Sequence, residues 1–125
     1  MKSVFISLLS ILSIIGCKGY TNLNIDEFEK MIAEDPTVQL VDVRTPEEFA
    51  AGHLEGAINI DWKADDFMQK AESLLSKDRP VLLYCRSGRR SADAGASLDA
   101  ASFKAYNMLG GILAWTAAGK PVTVE

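Results

Sequence analysis

The chain has 125 residues, 48% of them hydrophobic and 24% charged, which is enough for one domain with a modest core. A net charge of −4 argues against a nucleic-acid surface. With one histidine and two cysteines no zinc constellation can be assembled, and neither a metal nor another cofactor is expected.

Met1-Lys2-Ser3 is a short cationic lead, and Val4 to Ile15 is an unbroken stretch of apolar residues and serines. At about a dozen residues it falls short of the ~20 that span a bilayer, but it suits a signal-peptide core. It ends in Ile14-Ile15-Gly16-Cys17, which resembles the bacterial lipobox. There a peptidase cuts ahead of a cysteine that carries a thioether-linked diacylglycerol. The resemblance implies a signal peptide over 1–16, a lipid on Cys17, and a protein tethered to a membrane of the bacterial cell envelope. It would then lie outside the cytoplasm, on the periplasmic or surface side. Cys85 would be the only remaining thiol, so no internal disulfide and no resolving cysteine are expected. Residues 17–22 are read as a lipidated polar tether, whose Lys18 to Asn22 reach at most ~18 Å. The folded domain is expected over 23–125.

Asn24 caps a predicted helix, with Glu27 returning the capping-box bond and Leu23 and Phe28 as the staple. Its apolar face carries Ile25, Phe28, Met31 and Ile32, and it should end near Asp35-Pro36. Val38 to Val43 is the first strong strand, with Asp42 and Arg44 at its carboxyl end. Thr45-Pro46-Glu47-Glu48-Phe49 is a capped helix start with proline in the first helical position. A turn at 52–56 and a short strand over 57–60 follow. Residues 61–76 place Trp62, Phe67, Met68, Ala71, Leu74 and Leu75 close to helical spacing, as core. Ala105 to Met108 reads as a last strand. Gly110-Gly111 breaks into a short helix through Ala117, stopped by Gly119 and Pro121. Strands alternating with helices predict an α/β fold, an open and mainly parallel sheet flanked by helices on both faces.

Between these elements lies the chemically suggestive stretch. Val81 to Tyr84 is an apolar run of strand length, Cys85 follows it directly, and Ser91 to Leu98 reads as a helix after a polar turn. Seen alone, a cysteine ending an apolar strand is a small buried hydrophobe. Arg86, Arg89 and Arg90 change that reading. A strand that empties into a helix N-terminus aims loop N–H groups at one spot, and that spot favours an anion. A cysteine there should have a lowered pKa, held by the loop dipoles and the arginines, which makes Cys85 a candidate nucleophile. In open parallel sheets ligands bind outside the carboxyl ends of the strands, where Asp42, Arg44 and Cys85 all stand.

Taken in order, Leu40-Val41-Asp42-Val43-Arg44, Glu47-Glu48-Phe49, Gly52 to Ile60, Tyr84 to Ser91 and Gly110-Gly111-Ile112 with Trp115 resemble a single-domain rhodanese. The resemblance implies sulfurtransferase chemistry, in which the Cys85 thiolate takes a sulfane sulfur from a donor such as thiosulfate or a persulfide. It would then pass that sulfur to a thiol or cyanide acceptor, with a protein thiol among the partners to consider. Arg86 and Arg90 are the first choices to bind the donor's oxygens, and Arg89 the third. Ser87, Gly88 and Ser91 would shape the loop. Asp42 and Arg44 are given a supporting role and His53 a turn-stabilising one. Trp115 is read as core.

Two other readings compete. Phosphatase relatives of the fold use a Cys-x5-Arg loop, and here the arginine position is occupied by Ser91. An arsenate-reducing cycle would need a second cysteine. A membrane-tethered persulfide carrier, or a binding module without thiosulfate activity, remains the alternative from a different class.

Overall fold

The computed structural model describes residues 19–125, and residues 1–16 and Cys17 lie outside them. Strand β1 is Thr21–Leu23, β2 Gln39–Asp42, β3 Ile58–Asn59, β4 Val81–Tyr84 and β5 Ala105–Met108. Helix α1 is Ile25–Glu34, α2 Pro46–Ala51, α3 Phe67–Leu74, α4 Arg89–Ala100 and α5 Gly111–Ala117. The strands lie in the order β1-β5-β4-β2-β3, and every neighbouring pair is parallel.

Alternation along the strands divides the core in two. Val81, Leu83 and Cys85 join Val41, Val43 and Ala105 on one face, under Phe67 and Ala71 of α3 and Ala94 and Leu98 of α4. Leu82 and Tyr84 face the other way with Leu40 and Met108, and meet Phe28 of α1 and Ile112 and Trp115 of α5. β2 and β4 are buried along their whole length, as parallel strands covered on both faces must be. The helix starts follow the predicted chemistry. Asn24 and Glu27 form a full capping box, and Thr45 and Glu48 form another with Pro46 in the first turn.

Two expectations change. The stretch read as tether is partly folded, because Thr21 to Leu23 pair with Tyr106 to Met108 as an edge strand. Tyr20 packs against the Cys85-side core, and Gly19 lies so close to the Asp99 carboxylate, near the end of α4, that a β-carbon there would collide. Three polar-flanked residues give no strand signal alone; a neighbour in register supplies it. The helix expected over 61–76 is confined to Phe67–Leu74. Asp61 closes a turn instead, its carboxylate accepting from Lys63 N–H at 2.9 Å and its carbonyl from Ala64 N–H at 3.1 Å.

Candidate active site

Cys85 leaves the carboxyl end of β4 and is 1% exposed. Gly88 sits before α4 with φ of +103°, a conformation that suits glycine and tightens the loop around the sulfur. Gly88 N–H reaches Sγ at 3.1 Å, Ser91 N–H at 3.4 Å, and the Ser91 hydroxyl oxygen lies at 3.3 Å. The loop carbonyls are held from behind. Ile112 N–H donates to the Cys85 carbonyl at 2.9 Å and Leu113 N–H to that of Arg86 at 3.1 Å. The first turn of α5 thus takes the oxygens, which leaves the loop's N–H groups free to face the sulfur. Gly111 permits this approach: its φ is +61°, and a β-carbon there would collide with the Cys85 and Arg86 carbonyls.

Burial works against the Cys85 thiolate. The Ser91 hydroxyl and the N–H groups of Ser91, Gly88 and Ser87 work for it, and together they bring the thiol below its ordinary value. The lowering thus rests on the loop's hydrogen-bond donors more than on arginine contacts. Among the described residues Cys85 is the free cysteine, and no cluster of metal-ligating side chains accompanies it.

The three arginines part company. Arg86 and Arg89 are exposed and enter none of the ion pairs among the described residues, while Arg90 makes two bonds to Glu48 at 2.8 and 2.9 Å. That pair would have to open before Arg90 could hold a donor. The Glu48 bond first, and the nearby Cys85 charge further down, raise the Arg90 pKa against burial, so Arg90 and Cys85 interact through charge. Ser87 is exposed beside Arg86 and Gly88 half-buried.

Asp42 and Arg44 form a buried ion pair at 2.7 Å, and Arg44 also donates to the Gly52 carbonyl at 2.6 Å. Burial opposes the Arg44 charge, and its Asp42 partner more than restores it, so its pKa is raised. Asp42 stands in register with Tyr84, whose hydroxyl accepts from Leu54 N–H at 3.0 Å. The pair therefore braces the end of β2 and the turn after α2, on the side of the sheet away from Cys85. His53 is buried; its ring nitrogens meet the carbonyls of Phe49 at 2.8 Å and Glu125 at 3.2 Å, and its ring stacks on Phe49. Trp115 is buried and donates to the Pro121 carbonyl at 2.8 Å.

Three residues with no assigned role in the sequence reading belong to the site. Glu48 neutralises Arg90. Asn107, 2% exposed, accepts from the Ser91 hydroxyl at 2.5 Å and is held by Asn22 at 3.0 Å. A signal for Asn107 was present: in Ala105-Tyr106-Asn107-Met108 the alternation puts Asn107 on the face of Ala105, among apolar neighbours, and a buried amide needs partners. Asn22 gave none, because its strand was not recognisable.

A family model described as the rhodanese-like domain matches residues 24–118. A protein named sulfurtransferase from Allochromatium vinosum is 36% identical over 98 residues, covering 78% of this chain and 89% of that one. Thiosulfate sulfurtransferase 18 of Arabidopsis thaliana is 37% identical over 99 residues, covering 70% and 73%. Among solved structures, a rhodanese-like domain protein from Staphylococcus aureus matches with a TM-score of 0.72 at 31% identity, over 84% of this chain and 98% of that one. Fold, loop and relatives agree, and the chain belongs to the rhodanese-like family of sulfurtransferases.

Proposed function

We propose that the chain moves a sulfane sulfur through a persulfide on Cys85. The thiolate attacks the outer sulfur of thiosulfate, a sulfur–sulfur bond forms to Cys85, the donor's own sulfur–sulfur bond breaks, and sulfite leaves with the electron pair. A thiol or cyanide acceptor then attacks the outer sulfur, and the Cys85 thiolate returns. The observation that carries this reading is the convergence of Gly88 N–H, Ser91 N–H and the Ser91 hydroxyl on Sγ. The loop's donors lower the thiol and so favour the thiolate as the attacking species, and the loop's N–H groups would hold the persulfide anion. Arg86 and Arg89, both exposed, are assigned to the donor's oxygens and to departing sulfite, ahead of Arg90 with its Glu48 partner.

The test is intact-mass spectrometry of the chain carrying Cys17→Ser, incubated with thiosulfate beside a Cys85→Ser form. A gain of one sulfur atom, reversed by cyanide with thiocyanate released and absent without Cys85, is the expected result. No added sulfur on a titratable Cys85 would remove thiosulfate transfer and leave a carrier loaded by a protein persulfide, or a binding module. We further propose that Cys17 carries the lipid and tethers the domain in the bacterial cell envelope, a reading supported by Gly16-Cys17 closing the apolar stretch. Recovery of the full chain in membranes, and of Cys17→Ser in the soluble fraction, tests it.

A further inference from the structure

Ser91 stands between two acceptors and owns one proton. Its Oγ lies 2.5 Å from Asn107 Oδ1 and 3.3 Å from Cys85 Sγ. The Asn107 amide is oriented from its far side: Nδ2 donates to Asn22 Oδ1 at 3.0 Å and faces the Gly88 carbonyl at 3.4 Å, and a carbonyl only accepts. Oδ1 therefore faces Ser91. Two oxygens that close need a proton between them, and only Ser91 can supply it. In this arrangement the Ser91 oxygen can accept from a Cys85 thiol, and to serve a thiolate its proton must leave Asn107 and turn to sulfur.

We propose that Asn107, anchored by Asn22, competes with Cys85 for the Ser91 hydroxyl proton and thereby sets how readily the thiol ionises. The proposal rests on reading Cys85 as the sulfur-carrying nucleophile. When the thiol ionises, its proton leaves to solvent and the Ser91 proton turns to sulfur. Asn107 then loses a donor at Oδ1. Its amide recovers one by reversing, so that Nδ2 donates to Ser91 and Oδ1 accepts from a reversed Asn22, at the loss of the long contact to Gly88. Asn22 is half-buried on the edge strand and can reverse against water, whereas Asn107 is enclosed. The run Asn22, Asn107, Ser91, Cys85 thus has one polarity for the thiol and the opposite for the thiolate or a persulfide anion. Asn107 is a positioning residue, acting through Ser91.

The ionisable and charged groups on this side of the sheet near the sulfur are Arg86 in the loop, Arg89 and Arg90 in the first turn of α4 with Glu48 of α2, and Tyr20 ahead of β1, packed against the same core cluster. The Asp42–Arg44 pair lies on the other side of the sheet. β5 and β1 contribute the neutral Asn107 and Asn22.

The test follows Cys85 alkylation by iodoacetamide against pH in the full chain carrying Cys17→Ser. It uses no sulfur donor, so its outcome is separate from whether thiosulfate loads the thiol. Asn107→Leu frees the Ser91 proton and is expected to lower the half-ionisation pH by about one unit. Asn107→Asp keeps the shape, only accepts once ionised, and is expected to raise it. Adding Ser91→Ala should abolish the Asn107→Leu shift and shrink the Asn107→Asp shift to what its charge alone exerts. Should Asn107→Leu not fold, the Asp variant measured with and without Ser91 decides by itself. Shifts of equal size with and without Ser91, or no shift in folded variants, would overturn the proposal.

Discussion

The Arg90 guanidinium closes on the Glu48 carboxylate through two bonds, so the positive charge next to the Cys85 loop is matched by a carboxylate from a helix forty-odd residues earlier. The Arg90 bond holds Glu48 down to about 2 against burial, with help from Thr45. A carboxylate held low stabilises the fold above its ordinary value and loses that contribution as pH falls through the folded one. The melting temperature should therefore drop as pH falls from about 4.5 toward about 2, and Glu48→Gln should lack this part of the drop. Melting curves across that window check it.

A second prediction concerns the thiol. Cys85 is held below the ordinary thiol value, with burial opposing and the Ser91 and loop N–H bonds prevailing. Its alkylation should reach half its plateau rate below the ~8.5 of free cysteine. Linkage has the carboxylate's sign: the stabilisation is complete above the unfolded value and is lost as pH falls through the folded one. Comparing urea midpoints of the native chain and Cys85→Ser on both sides of that window reads the same shift through stability.

Gly111 is where the loop is gripped. Gly111→Ala demands a left-handed conformation of a residue with a β-carbon and drives that carbon into the Arg86 carbonyl. We expect a loss of about 1–3 kcal/mol in urea unfolding. Displaced loop carbonyls would also turn N–H groups away from sulfur, so the alkylation midpoint should rise in the variant that remains folded.

His53 separates stability from chemistry. Its contacts are with Phe49 and Glu125, so His53→Ala should cost about 1–3 kcal/mol through unmet carbonyls and lost stacking. The rate of sulfur loading per folded molecule should not change. A matching fall in that rate would assign His53 to the chemistry.

The parallel sheet, the capped helix starts and the strand-loop-helix around Cys85 were legible because each is written in local residues. Val81 to Tyr84 can be buried on both faces only inside such a sheet, and Asn24 with Glu27 or Thr45 with Glu48 announce a helix by themselves. What escaped notice depends on partners distant in sequence. β1 exists because β5 lies beside it, and Arg90 is occupied because α2 delivers Glu48. Counting arginines near a cysteine gives the sign of the local charge. It does not show which guanidinium is already spent.

The position of Gly19 fixes which way the site looks. Helix α4 begins at Arg89, directly after Gly88 beside the sulfur, and runs 12 residues, or about 18 Å, to the end where Asp99 meets Gly19. The polypeptide therefore enters the domain at the floor of the sheet, with the thiol on its roof. The rim of the sheet that carries the Cys85 loop, with its exposed Arg86, Ser87 and Arg89, lies on the side opposite Gly19. Partners thus reach the buried thiol from the end away from the point where the described chain begins.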